Sequence, residues 1–263
     1  MPFHVAAWSQ SVDQAGAFVA ITGVTDQILN VVGANIQVPE LNQVIGLAAG
    51  VETTVAQQAR LTAPSRRVFA LQRIAPVQGN AAAASLPGDP HKFTDLLDSP
   101  LAMVKGEQAN IELLADPAAA QIQWGLAWFA DKAIVPVTGN IFTIRATGAT
   151  ALVAQLWTLV SITMSENLPR GRYQAVGLRA QSTNMVAARY AFVGTGATSA
   201  WRPGVMGTNT DRHLEYPAFR YGGMGVFGEF EDTDLPSIEC LATAADAAQV
   251  FYLDLIQVRS GPA

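Results

Sequence analysis

A chain of 263 residues is long enough for one large domain or two small ones, and with 50% hydrophobic and only 14% charged residues it is too apolar to be disordered. Its net charge of −5 gives a field that disfavours nucleic acid, so direct nucleic-acid binding is not expected. The one cysteine, Cys240, excludes an intrachain disulfide and any cysteine-based metal cluster.

The N-terminal segment MPFHVAAWSQ has neither the charged start nor the apolar core of a signal peptide. The longest nearly apolar run, Val153 to Met164, falls short of the roughly 20 residues that span a bilayer, so the chain is expected to be soluble and made in the cytoplasm. Phe3, Val5 and Trp8 are suited to anchoring an N-terminal arm, with a disordered terminus as the alternative. No Lys or Arg precedes Arg60, and all but Lys92, Lys105 and Lys132 of the 16 basic residues are Arg, whose planar fork suits interfaces.

Short strands bounded by Gly, Pro, Asn and Asp then follow one another. Gly16 to Gly23 leads into Asp26 to Val32, and Gln43 to Ala49, Thr54 to Leu61 and Val68 to Ile74 come next. Ala109 to Ala115 and Gln121 to Ala130 are separated by the turn signal Asp116-Pro117. Beyond the short junction Asp131–Pro136 the expected strands are Asn140 to Ala146, Val153 to Met164, Arg172 to Ala180, Val186 to Val193, Gly223 to Phe230, Ser237 to Ala242 and Gln249 to Val258. Helix is expected only as short pieces in loops, at Pro39 to Asn42, Lys92 to Leu97 and Ala244 to Ala248. A parallel α/β sheet needs crossover helices of about a dozen residues, which this pattern lacks. The fold class is therefore all-β, a sandwich or barrel with short helices in loops.

An internal repeat divides the chain. Residues 43–56 (QVIGLAAGVETTVA) match 174–187 (QAVGLRAQSTNMVA) at a constant offset of 131, sharing Gln43/Gln174, Gly46/Gly177, Leu47/Leu178 and Ala49/Ala180 among others. Ile111-Glu112-Leu113-Leu114-Ala115 matches Ile238-Glu239-Cys240-Leu241-Ala242 at an offset of 127, and Ala119-Ala120-Gln121-Ile122 then matches Ala247-Ala248-Gln249-Val250. Two matches in the same order imply tandem duplication, with copies at 1–133 and 134–263.

Motifs that carry catalysis do not stand out. There is no Gly-x-x-x-x-Gly-Lys-Ser/Thr loop and no Gly-x-Ser-x-Gly elbow. His4, His91 and His213 stand singly in loop-like surroundings, unlike the clustered histidines of jelly-roll metalloenzymes. Gly194 to Thr198 reads as a surface loop, and Tyr221 to Gly228 as a bulged or closely approached strand. Glu229, Glu231, Asp232 and Asp234 read as a solvated turn, with a cation site as the alternative. Cys240 reads as a buried, inert thiol. The long segments Pro76 to Pro90 and Gly194 to Tyr221 are suited to contact arms or a ligand site. Accordingly no catalytic, cofactor-binding or metal-binding residues are assigned, and the chain is read as non-enzymatic.

The tandem β-domains, the duplicated Gln-x-Val/Ile-Gly-Leu and Ile-Glu-x-Leu-Ala segments and the missing active site together resemble the double jelly-roll major capsid proteins of tailless icosahedral viruses, including membrane-containing bacteriophages and the adenovirus lineage. The resemblance implies two tandem jelly rolls, 1–133 and 134–263, in a chain that forms homotrimers shaped as pseudo-hexagonal blocks. It further implies a virion location, other capsid proteins such as a pentameric vertex protein as partners, and an internal membrane as a possible neighbour. The alternative is a tandem β-sandwich that binds carbohydrate or protein, a lectin or adhesin, with Trp201, Tyr216, Phe219 and Tyr221 as sugar-stacking residues.

Overall fold

The computed structural model describes residues 3–11, 17–37, 40–51, 58–66, 72–74, 77–78, 93–114, 121–192, 201–208 and 216–260. The expected features at His91, His213, Asp116-Pro117, Ala119-Ala120, Gly194 to Thr198 and most of Pro76 to Pro90 lie outside these residues. The chain forms two compact units: Val5–Ala133, the first roll, and Ile134–Ala263 together with Phe3 and His4, the second roll.

The first half contributes β1 (Phe3–Ser11), β2 (Phe18–Ala20), β3 (Asn30–Val32), β4 (Asn35–Gln37), β5 (Gln43–Val51), β6 (Gln58–Thr62), β7 (Gln72–Ile74), β8 (Val77–Gln78), β9 (Thr94–Asp95), β10 (Leu101–Ala102), β11 (Gln108–Leu114) and β12 (Ile122–Ala130). One sheet runs β1-β12-β5-β10. In the other, β2 pairs with β11, β11 with β6 and β6 with β7. With β3–β4 set aside as an inserted hairpin on β11, and with β7 and β8 counted as one strand and β9 and β10 as one, the strands of the sandwich lie in the order first, eighth, third, sixth and second, seventh, fourth, fifth. That order is the jelly roll, two Greek keys folded into facing sheets.

The second half repeats it with β13 (Phe142–Gly148), β14 (Thr158–Val160), β15 (Thr163–Met164), β16 (Gly171–Gln181), β17 (Met185–Ala191), β18 (Gly204–Thr208), β19 (Gly228–Glu231), β20 (Ser237–Ala242) and β21 (Gln249–Ser260). Here β13-β21-β16-β19 forms one wall and β14-β20-β17-β18 the other, the same order as in the first roll. Even the corner recurs. Strand β18 pairs antiparallel with β17 through Gly204–Met206 and then parallel with β16 through Gly207 and Thr208. In the first roll β7 pairs antiparallel with β6, and β8 then runs parallel to the end of β5.

Strands form where the sequence alternates. In β11, Ala109, Ile111 and Leu113 turn inward, and in β21 Phe251, Leu253 and Leu255 do. Strands β5 and β12 are instead buried along nearly their whole length, so both faces read as apolar. Trp8, Trp124, Trp128 and Phe129 fill the first roll. Phe93 packs edge-on against Trp128 at 5.1 Å, into the space Gly46 leaves open. The second core is aromatic, with Tyr173 stacked on Phe230 at 5.7 Å and Tyr190 on Phe192 at 5.2 Å.

Several expectations need correction. None of the three proposed helices forms among the described residues: 40–42 is irregular, Thr94–Asp95 is a strand on Gly46 and Leu47, and 244–248 is a bend followed by irregular chain. The only described helical turns are 3-10, at Pro64–Arg66 and Pro217–Phe219, where proline fixes the turn but no run of helix formers extends it. Val153 to Met164 is not one strand but a bridge at Ala154 followed by β14 and β15. Gly223 to Phe230 is a turn and loop that becomes strand only at Gly228, because Tyr221, Gly222 and Gly225 adopt positive φ. His4 lies in strand β1, fully buried, not in a loop. Among the described residues no helix is long and apolar enough to cross a membrane.

Candidate functional site

The repeated Ile-Glu-x-Leu-Ala motif puts one carboxylate into an apolar strand of each roll. Opposite it the neighbouring strand supplies an arginine, for Glu112 faces Arg60 and Glu239 faces Arg189 in register. Arg60 meets Glu112 at 2.6 Å and lies 3.9 Å over the ring of Phe18. Arg189 meets Glu239 at 2.7 Å and lies 3.9 Å over the ring of Trp157. Phe18 opens the second strand of the first roll and Trp157 immediately precedes the second strand of the other, so the two triads are counterparts in sequence and register. An Arg clamped between a carboxylate and a ring fixes strand register, because a slip by one residue would invert every side chain.

The second triad is extended. His4 Nε2 lies 3.2 Å from a terminal nitrogen of Arg189, and the Arg202 backbone N–H donates to His4 Nδ1 at 3.1 Å. Arg202 also reaches Glu239, at 3.6 Å, and Trp201 packs edge-on to the His4 ring at 5.8 Å. Two guanidiniums thus share one buried carboxylate. Such a cluster holds only while every member is present, since an uncompensated buried charge costs several kcal/mol.

A second buried ion pair pins the glycine-rich turn. Arg220 donates to both oxygens of Asp254, at 2.7 and 3.0 Å, while the Tyr221 backbone N–H (2.9 Å) and the Thr143 hydroxyl (2.6 Å) donate to the same carboxylate. Gly177, opposite Asp254 at a bulge in β16, leaves room for this: a Cβ there would stand 2.4 Å from Asp254 Oδ2. At Gly222, with φ of +82°, a Cβ would meet the Val137 carbonyl at 2.0 Å. The aromatic side chains singled out for sugar stacking do not form one exposed platform. Phe219 is core, Trp201 packs on His4, Tyr216 lies edge-on to Phe219, and Tyr221 is exposed.

Phe142, Arg145, Glu166, Asn167, Tyr173 and Tyr252 are among the residues that line an open cleft of about 650 Å³ in the second roll. Its walls offer aromatic faces and both signs of charge. Tyr173 donates its hydroxyl to the Pro169 carbonyl, and burial raises the phenol above its ordinary range, with Asp232 adding to the rise.

The acidic run is committed to turns and strand edges. Glu229 takes Arg172 at 2.5 Å and Gln174 at 2.8 Å, and Asp232 accepts from the Gly171 amide at 2.8 Å. Among the described residues no three His, Cys, Asp or Glu side chains are grouped to hold a metal ion. Cys240 is fully buried, and burial, with Glu239 and Asp246 nearby, pushes its thiol far above the usual range. The ion pairs were not anticipated from the sequence, although a glutamate repeated inside an apolar strand motif was the available signal. No protein-family model matches the chain, and no curated protein matches it.

Proposed function

We propose that this chain is a non-enzymatic, shell-forming protein: a major capsid protein of the double jelly-roll kind, whose homotrimers act as pseudo-hexagonal blocks in an icosahedral virion. The observation that carries the reading is duplication in depth. Two jelly rolls in one chain share strand order, corner crossing and an Arg–Glu–aromatic triad. A chain with two similar rolls lets three copies present six similar walls, which is economical for tiling a curved lattice. Only 14% charged residues accords with a surface largely covered by other subunits. Other capsid proteins, such as a pentameric vertex protein, and an internal membrane are the partners this reading anticipates. The net charge of −5 supports no direct genome contact.

Size-exclusion chromatography with light scattering, followed by electron microscopy of the assembled fraction, tests this. Trimers and closed particles are expected. A stable monomer at all concentrations that binds glycans would overturn the reading in favour of a lectin-like module.

A further inference from the structure

Phe3 and His4 open strand β1 yet belong to the second roll, where Phe3 packs edge-on against Phe227 at 5.0 Å and His4 caps the Arg189–Glu239 pair. Both halves of this contact have counterparts elsewhere in the duplicated chain. The counterpart of β1 is β13, the first strand of the second roll, and their openings align: Phe3-His4-Val5-Ala6-Ala7 with Phe142-Thr143-Ile144-Arg145-Ala146. Val5 and Ile144 are both core, as are Ala7 and Ala146. The counterpart of Arg189–Glu239–Trp157 is Arg60–Glu112–Phe18.

Burial separates the two sets. Phe3 and His4 are 0% exposed, whereas Phe142 is 36% exposed and Thr143 and Arg145 also face solvent. The side chains of Arg189 and Glu239 are 1% and 8% exposed, against 24% and 20% for Arg60 and Glu112. One strand opening and one receiving face are joined within the chain; the other opening, where Phe142 lies edge-on to Tyr173 and Thr143 bonds Asp254, and the other face both remain open to solvent.

We propose that these accessible halves meet between copies, the head of β13 of one molecule docking on the Arg60–Glu112–Phe18 face of the next. The occupant is a second copy of this chain because its own residues already realise the contact once, through a strand opening of the same sequence pattern on a triad of the same chemistry. The contact is heterologous, so it closes into a ring when the rotation allows and otherwise runs on as a chain. The inference rests on the self-association in the proposed function and specifies the surfaces that carry it.

Cross-linking tests it on the full chain. Arg145→Cys places a thiol on the exposed edge of β13 without touching the Thr143–Asp254 bond, and Ala20→Cys places one beside Glu112, its cross-strand neighbour. Cys240 is buried and stays silent. With a short bis-maleimide, a covalent dimer is expected when the two single variants are mixed and not from either alone. Arg145→Glu on one side and Ala20→Trp on the other should each weaken self-association about tenfold or more, with melting temperature unchanged. Oligomers that form without the mixed cross-link, or that tolerate both substitutions, overturn the inference while leaving the shell reading standing. A chain that never associates overturns both.

Discussion

Replacing Glu239 with Gln leaves the guanidiniums of Arg189 and Arg202 without the carboxylate they share, at a site where Arg189 is 1% exposed. Breaking a buried pair from one side costs about 3–5 kcal/mol, because the remaining charge stays desolvated. For a roll of this size each kcal/mol lowers the melting temperature by roughly 3–5 °C, so the second roll should melt roughly 10–20 °C earlier. The internal control is Glu112→Gln. Its pair with Arg60 is 24% and 20% exposed, and solvent screening reduces the expected loss to about 1 kcal/mol or less. Replacing all three charged members with Arg189→Met, Arg202→Met and Glu239→Leu together should recover much of the stability, since no lone charge is left. Differential scanning calorimetry of the four proteins reads all of this. Equal losses for Glu112→Gln and Glu239→Gln would refute the argument that burial sets the magnitude.

Asp254→Asn removes the charge that compensates Arg220 and one of the two oxygens that accept from Arg220, Thr143 and the Tyr221 amide, so a loss of about 3 kcal/mol is expected, with faster hydrogen exchange at the Tyr221 and Gly222 amides. Gly177→Ala drives a methyl group against Asp254 and the backbone around Tyr221, and should cost about 1–3 kcal/mol in urea unfolding. For Asp246, burial raises the carboxyl, but hydrogen bonds from the Ser182 hydroxyl and from the Ala248, Asn184 and Thr183 amides outweigh it and hold the group below its ordinary value. Its stabilisation is therefore present above the unfolded value of about 4 and is lost as pH falls through the lower folded one. The urea midpoints of the wild type and Asp246→Asn should differ at pH 6 and converge in acid. Cys240 should resist thiol reagents in the folded protein and react at the unfolding rate; prompt labelling would contradict its burial.

The all-β class was legible in the sequence because strands announce themselves locally, through alternation and Gly, Pro, Asn and Asp punctuation. The repeat was legible because duplicated strands keep their core side chains, as in Gln43/Gln174 and Ile111/Ile238. Helices expected from short Ala- and Leu-containing runs did not form because segments that brief follow tertiary pairing, as Thr94–Asp95 does against β5. The jelly-roll order was beyond the sequence, since neighbours such as β1 and β12 lie a hundred or so residues apart and a Greek key of another topology has the same local pattern. The ion pairs were hidden for the same reason. Arg60 and Glu112, or Arg220 and Asp254, become partners only when distant strands and turns are brought together.

The case of His4 shows the division most clearly. By itself the sequence determined a charge-poor, strand-forming chain with an internal repeat, and left open whether the segment of Phe3, Val5 and Trp8 is ordered. Tertiary structure alone decided that β1 begins in one roll and continues in the other, with His4 between Arg189 and Arg202. The physical reason is that apolar periodicity is written residue by residue, whereas the compensation of buried charge depends on which distant residues meet.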